Sequence, residues 1–430
     1  MIVGFALLTL ALAGEHDAAA PAPVAVSLGT GIPEGTPKKI EVAAGADINA
    51  AIAGLPAGST IQLLPGEHRG PVLIDRPLTL LGPARIVGPG QGSVVVVGAP
   101  DVTIRNLEIT GSGLDATAGD AGVVVGADRA RIEEVRIVHT FLGVDLRRSN
   151  HSIIRGCTIE GREDGPIGTH GDGIRLWESD HNEIVGNHLE HVRDMVAWYS
   201  EHNSFTDNVV EGSRYGAHLM HAEGTHLERN RFIDDVVGIF VMYSRDVVIT
   251  NNLVLGADGA AGMGIGVKES DALTVTHNRL LASTLGIYID SAPNRPDSFA
   301  LFTDNLIAYD HMGLRFNGVR AGARFEGNNL HENHIQVAVS GGGQAGAATF
   351  TGNRWSDYTG YDLDGNGVGD LPYAPRSLAR SVVDRRPAAA FFDGTPAAML
   401  LDLLAAAFPM WSPPPMFTDD APRMGLLEHG

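Results

Sequence analysis

An all-β fold, a parallel β-helix, is predicted for this chain by three observations. Four stretches, "GIRLWESDHN", "DMVAWYSEHN", "GAHLMHAEGT" and "GIFVMYSRDV", begin at Gly173, Asp194, Gly216 and Gly238 and share apolar second and fourth positions. A second motif, Asn, any residue, then an apolar one, recurs at Asn106, Asn187, Asn208, Asn230, Asn252, Asn278, Asn305, Asn328 and Asn353. From Asn187 its spacings are 21, 22, 22, 26, 27, 23 and 25 residues, which is a solenoid period. Within each copy the apolar residues alternate, as in "GIRLW", so the elements are strands; the L-x-x-L-x-L spacing of leucine-rich repeats is missing. A coil of about 22 residues then supplies two or three short strands, stacked on the next coil at roughly 4.8 Å.

The elements follow in chain order. Residues 1–14 hold an apolar run ending in "ALAG", of signal-peptide length, although no Lys or Arg precedes it. Residues 15–37 are rich in Ala and Pro and read as a linker. The β-helix is expected over 38–355, opened by an amphipathic "DINAAIAGL" suited to a helical cap over the exposed end. The asparagines are expected at tight turns, where Asn tolerates left-handed geometry and its amide bonds the equivalent turn of the next coil. Glu134 and Cys157 fill the same slot, which makes Cys157 a buried turn residue. About ten coils fit between Asn106 and Asn353. Over 356–430 the repeat stops. An acidic loop, a short helix "PAAMLLDLLAAAFP" with its leucines and methionine on one face, and a Pro-rich tail remain, read as a docking element or a second end cap.

Composition narrows the function. The chain has 430 residues, a formal net charge of −20, only 19% charged residues and no basic run, which argues against a nucleic-acid partner. Its single cysteine permits no intramolecular disulfide. No segment after the N-terminal run is apolar and long enough to cross a membrane, and there is no P-loop pattern for ATP hydrolysis.

Two sets of residues have metal-binding chemistry. The third and fifth positions of the first motif project outward, and the fifth-position column runs Trp177, Trp198, Met220, Met242, Lys268. Met220 and Met242 are therefore expected one coil apart, with His218 two residues before Met220 on the same face and His221 at the strand edge. Thioether and imidazole donors suit Cu(I) far better than Mg²⁺ or Ca²⁺; the same residues also suit a sticky apolar groove. In "DLDGNGVGD", Asp362, Asp364, Asn366 and Asp370 fall at positions 1, 3, 5 and 9 of a calcium loop, with the Val368 carbonyl at 7. Position 12 is Tyr373 instead of Glu, so Ca²⁺ stands against a plain turn. Glycan cleavage needs two or three carboxylates converging on one face, and the acidic residues here are scattered.

With these features together, the chain resembles the NosD family over about residues 40–425. The resemblance is carried by "GDGIRLWESDHN", "SRYGAHLMHAEGTHLERNRFIDDVVGIFVMYSRDV", "GIGVKESDALTV" and "NRWSDYTGYDLDGNGVGDLPY". It implies a right-handed β-helix in the periplasm, peripheral to the membrane, that works with an ABC transporter permease and ATPase. It also implies a copper chaperone lipoprotein and apo-nitrous oxide reductase as partners, and a role in handling copper and docking these proteins without a reaction of its own. The family run Met-Tyr-Ser is kept at Met242–Ser244 but reads Met220-His221-Ala222 one coil earlier, which adds a candidate ligand. The alternatives are a glycan-binding or glycan-cleaving β-helix, or a docking scaffold that binds no metal.

Overall fold

A computed structural model describes residues 20–24, 26, 31–162, 164–318, 321–340, 345–392 and 395–425. The expected signal segment 1–14 lies outside them. The chain is a mostly-β parallel solenoid of about 13 turns with few helices. Its residues fall in two compact units, 17–236 and 237–430.

In the first unit strands run from Lys39–Val42 to Arg231–Ile233, paired in parallel with their equivalents one coil on. A typical coil has one longer strand, such as Asp194–Trp198, and two of three residues, Ser204–Thr206 and Val209–Glu211. Alternation drives this. Ile174, Leu176, Ala197 and Leu219 point inward and are fully buried, and Ile184, Leu189 and Val210 fill the other wall. Glycine opens several of the longer strands for a steric reason: a Cβ on Gly173 would lie 2.7 Å from Leu189 Cδ2. The helix Ile48–Ala53, N-capped by Asp47, buries Ile48 and Ile52, and Asn49 accepts from Leu73 N. Part of the expected linker is packed: Val24 lies against Ala121, Val124 and Leu142, and Arg147 donates to the Ala22 carbonyl.

The asparagine ladder is present, with two corrections. In the first unit Cys157 N donates to Asn187 Oδ1, Asn187 N and Nδ2 to Asn208 Oδ1, and Asn208 N and Nδ2 to Asn230 Oδ1. In the second, Asn252, Asn278, Asn305, Asn328 and Asn353 are joined in the same way. The left-handed residue, however, is the one before the ladder asparagine: Asp207, Arg229, Asn251, His277 and Asp304 all have φ between 52° and 57°. Asn106 (φ 55°) and Glu134 (φ 54°) occupy that left-handed position, not the ladder slot, which Leu107 and Val135 fill. Cys157 is buried in a true slot, and desolvation pushes its thiol up to about 12, so it is an inert turn residue.

The second unit continues from Val237–Met242 to Arg354–Trp355 and ends in helices Leu378–Arg385 and Pro396–Ala407. Asp402 ties the two helices by accepting from Ser377 Oγ and Ala379 N. The longer helix does not bury its leucines: Ala398 and Ala405 are buried, whereas Met399, Leu400 and Leu403 are 63%, 55% and 66% exposed. Of the two readings of the final stretch, a docking element or a second end cap, its last residues have the contacts of a cap. Asp419, fully buried, accepts from Asn353 N and Nδ2 at 3.0 Å, from Trp355 Nε1 and from Gly352 N. It stands where the next ladder asparagine would be. Phe417 packs on Phe350 and Trp355, and Tyr373 and Asp419 exchange backbone hydrogen bonds. Residues 417–424 therefore complete the end of this unit.

Candidate functional site

The strand Tyr215–Met220 carries His218 and Met220, and His221 follows at φ 52°. Because Ala217 and Leu219 face the core, His218 and Met220 face away from it, as the alternation predicts. They are nevertheless buried, His218 completely and Met220 to 5% exposure, so the expectation of an open outer face is corrected. Large rings close around them. Trp198 is in register with Met220, and the His218 ring meets Trp198 and Tyr215 edge-on at 5.8 and 4.9 Å. Trp177 packs edge-on against Trp198 at 5.7 Å. The indole nitrogens of both tryptophans are buried without an acceptor among the described residues.

Beside this ring cluster lies a buried ionic ladder that sequence reasoning missed. Asp145 is held by Arg147 and Arg175, Asp172 by Arg193, and Asp194 by Arg214, with all three carboxylates fully or almost fully buried. The signal was there: Asp172, Arg193, Asp194 and Arg214 place opposite charges one coil apart. Asp194 also faces His218, with Oδ2 3.8 Å from Nδ1. Burial opposes ionisation of Asp194, yet the nearby His218 ring, the hydrogen bond from Arg214 and the charges of Arg214 and Arg193 hold it well below the usual carboxylate range.

His221 is different. It is exposed at the coil's edge and stacks on Tyr199, with ring centroids 4.9 Å apart, and partial burial lowers its pKa. Neutral imidazole is the metal-binding form. In the other unit Met242 ends the strand Val237–Met242 and is 1% exposed, in register with Lys268, whose ammonium lies over the Tyr243 ring. The structure thus places His218 and Met220 on one face of a strand, with the His221 ring on Tyr199 just after it, and Met242 at the end of a strand in the second unit.

The acidic loop is fully wound. Asp362 accepts from the amides of Gly365, Asn366 and Gly367, which lowers its pKa; Asp370 accepts from Leu363 N, and Val368 N donates to Asn366. Gly367 has φ 84°, a conformation suited to glycine at the loop's sharp turn. Tyr373, at position 12, is no ligand: its hydroxyl donates to Asp357. Among the described residues no helix is long and apolar enough to cross a membrane.

The sequence model of one family, "Periplasmic copper-binding protein (NosD)", matches residues 164–360, the stretch that holds both methionines and both histidines. A probable ABC transporter binding protein NosD from Stutzerimonas stutzeri is 28% identical over 411 residues, covering 86% of this chain and 88% of that protein. A Pseudomonas aeruginosa protein of the same description is 41% identical over 73 residues, 16% of this chain and 67% of that protein. Among solved structures, the catalytic domain of a GH87 alpha-1,3-glucanase superposes with a TM-score of 0.54 at 14% identity, covering 76% of this chain and 71% of that one. At that identity the likeness is one of fold alone. By the family match and the near full-length relatives, this chain belongs to the NosD family of periplasmic copper-binding proteins.

Proposed function

We propose that this protein handles copper in the periplasm and docks on an ABC transporter, permease and ATPase, to assist copper-cluster assembly in nitrous oxide reductase. The observation that carries the reading is the pairing of His218 with Met220 on one buried strand, with the Asp194 carboxylate 3.8 Å from the His218 ring. Copper is cargo here. Thioether sulfur and neutral imidazole are soft to borderline donors and favour Cu(I). Low-dielectric, ring-packed surroundings disfavour a hydrated divalent ion, and His221, after the strand's end, offers a donor closer to solvent. Met242 is proposed as a copper donor in its own right.

The buried ionic ladder argues against the glycan-cleaving alternative. Such chemistry needs one protonated acid and one unencumbered carboxylate, and Asp145, Asp172 and Asp194 are each clamped by arginine. The exposed side chains of Phe391, Phe392, Met399, Leu400, Leu403, Met410 and Trp411 offer an apolar surface for the permease. A copper chaperone lipoprotein and apo-nitrous oxide reductase are the proposed donor and acceptor. Ca²⁺ is proposed to order residues 362–370, since a carboxylate that accepts amide hydrogen bonds keeps lone pairs for a cation.

The test is anaerobic Cu(I) titration against a chromophoric competitor. Met220→Leu with Met242→Leu roughly conserves volume, and it should lower affinity at least tenfold and impair maturation of nitrous oxide reductase. A folded double variant with wild-type affinity and maturation would place the copper site elsewhere.

A further inference from the structure

A second cluster of metal-type ligands lies on a different wall of the first unit. The strands His188–Glu190 and Val209–Glu211 pair in parallel, with Leu189 opposite Val210 and Glu190 opposite Glu211. Leu189 and Val210 are fully buried, so His188, Glu190 and Glu211 all project to the outside. His188 Nε2 is 3.1 Å from Glu190 Oε1 and 4.0 Å from Glu211 Oε1. One ligand atom from each residue lies within 4.8 Å of the other two.

The charge pattern around it is unusual for this wall. Elsewhere guanidinium groups separate the carboxylates: Arg136 bridges Glu108 at 3.3 Å and Glu160 at 2.8 Å. In the same column, Arg136 is followed by Thr158 and then His188. Glu190 and Glu211 therefore stack one coil apart with only an imidazole between them, and among the described residues neither pairs with Arg or Lys. Like charges directly opposite each other in a sheet repel. A divalent cation would remove that repulsion and use all three ligands.

We infer that His188, Glu190 and Glu211 form a surface site for a divalent cation of borderline softness, Zn²⁺ or Cu²⁺. One imidazole and two carboxylates without sulfur fit those ions and not Cu(I). Bonds of roughly 2.0–2.2 Å to nitrogen and oxygen require ligand atoms within about 4.4 Å of one another. Side chains that are 42%, 36% and 42% exposed can rotate by the few tenths of an ångström needed. Three protein ligands leave the remaining positions to water or to a partner's side chain.

The test uses the full chain stripped of metal. Zn²⁺ titration by calorimetry should show one more equivalent in the wild type than in His188→Ala, and at least tenfold weaker binding of that equivalent in Glu211→Gln. With Cu²⁺, pulsed electron paramagnetic resonance should show an imidazole nitrogen signal that His188→Ala loses. Signal with only one of the two ions identifies which one the site takes. The Met220→Leu, Met242→Leu variant should keep the site, which separates it from the proposed Cu(I) donors. Should His188→Ala melt early, the near-isosteric Glu190→Gln gives the same comparison. Wild-type stoichiometry and affinity in Glu190→Gln and Glu211→Gln would overturn the inference, as would no binding of either ion by the wild type.

Discussion

Replacing Asp419 by Ala should loosen the end of the second unit and little else. The carboxylate is fully buried and accepts five hydrogen bonds, from Asn353 N, Asn353 Nδ2, Trp355 Nε1, Gly352 N and Ala421 N, at 3.0 to 3.2 Å. Hydrogen bonds to a charged acceptor contribute about 1.5–3 kcal/mol each, and a donor left unsatisfied in the interior costs about 1–3 kcal/mol. These terms do not add at one shared acceptor, and water can enter at a chain end, so the expected loss is about 3–5 kcal/mol. Asp419→Asn keeps one acceptor oxygen but turns an NH₂ toward donors, and should cost about 1–2 kcal/mol. A solenoid frays from its ends, so hydrogen exchange should rise at 350–358 and 416–424 while strands near Asn187 stay protected. If exchange in both segments is unchanged in Asp419→Ala, the carboxylate does not terminate the ladder. The same contacts mean that truncation before Phe417 is expected to damage this end as well as any docking function.

Three further outcomes follow from single features. Burial pushes the Asp310 carboxyl up to about 8, so the folded chain holds a proton that the unfolded chain has released. That contribution is complete below about pH 4 and is lost as pH rises through about 8, at up to about 1.4 kcal/mol per pH unit. Asp310→Asn should flatten the fall in melting temperature across that window, and an unchanged slope would mean the carboxyl is not protonated at neutral pH. Chelation of Ca²⁺ should lower the melting temperature or raise protease cleavage within 362–370; no change in either would leave the loop a plain turn. Leu400→Ser with Leu403→Ser, at exposed positions, should leave stability within about 1 kcal/mol of wild type yet release the protein from the permease, and retention of a stable complex would count against docking through this helix.

The solenoid was legible because parallel stacking turns sequence period into structure. The asparagines repeat at the coil length, and inward residues alternate. The errors have a physical origin in the same motif. Asn is favoured both at the left-handed turn residue and at the ladder residue after it, and one coil shows both roles side by side: Asn251 has φ 57°, while Asn252 donates to Asn278. A pattern of Asn followed by an apolar residue cannot separate them, and it therefore sets Asn106 and Glu134 one position off. Asp419 was invisible for another reason, since its partner Asn353 lies 66 residues away and no period links them. The burial of His218 was also beyond alternation, which assigns a face but not what closes over it.

Stacking acts on every column and not only on the asparagines. In "CTIE", "NHLE" and "NVVE" the fourth residue is always glutamate, and the structure accordingly sets Glu160, Glu190 and Glu211 in one column. Repulsion in such a column must be relieved by whatever occupies the neighbouring one. Arg136 does this for Glu160, so that coil is an ion pair and nothing more. His188 sits in the same relation to Glu190 and Glu211, but an imidazole lacks the permanent charge of a guanidinium and offers a ring nitrogen that can ligate a metal. The exchange of one permanent cation for one metal-type ligand, two coils along a single column, is what separates a structural salt bridge from a place where a metal ion has work to do.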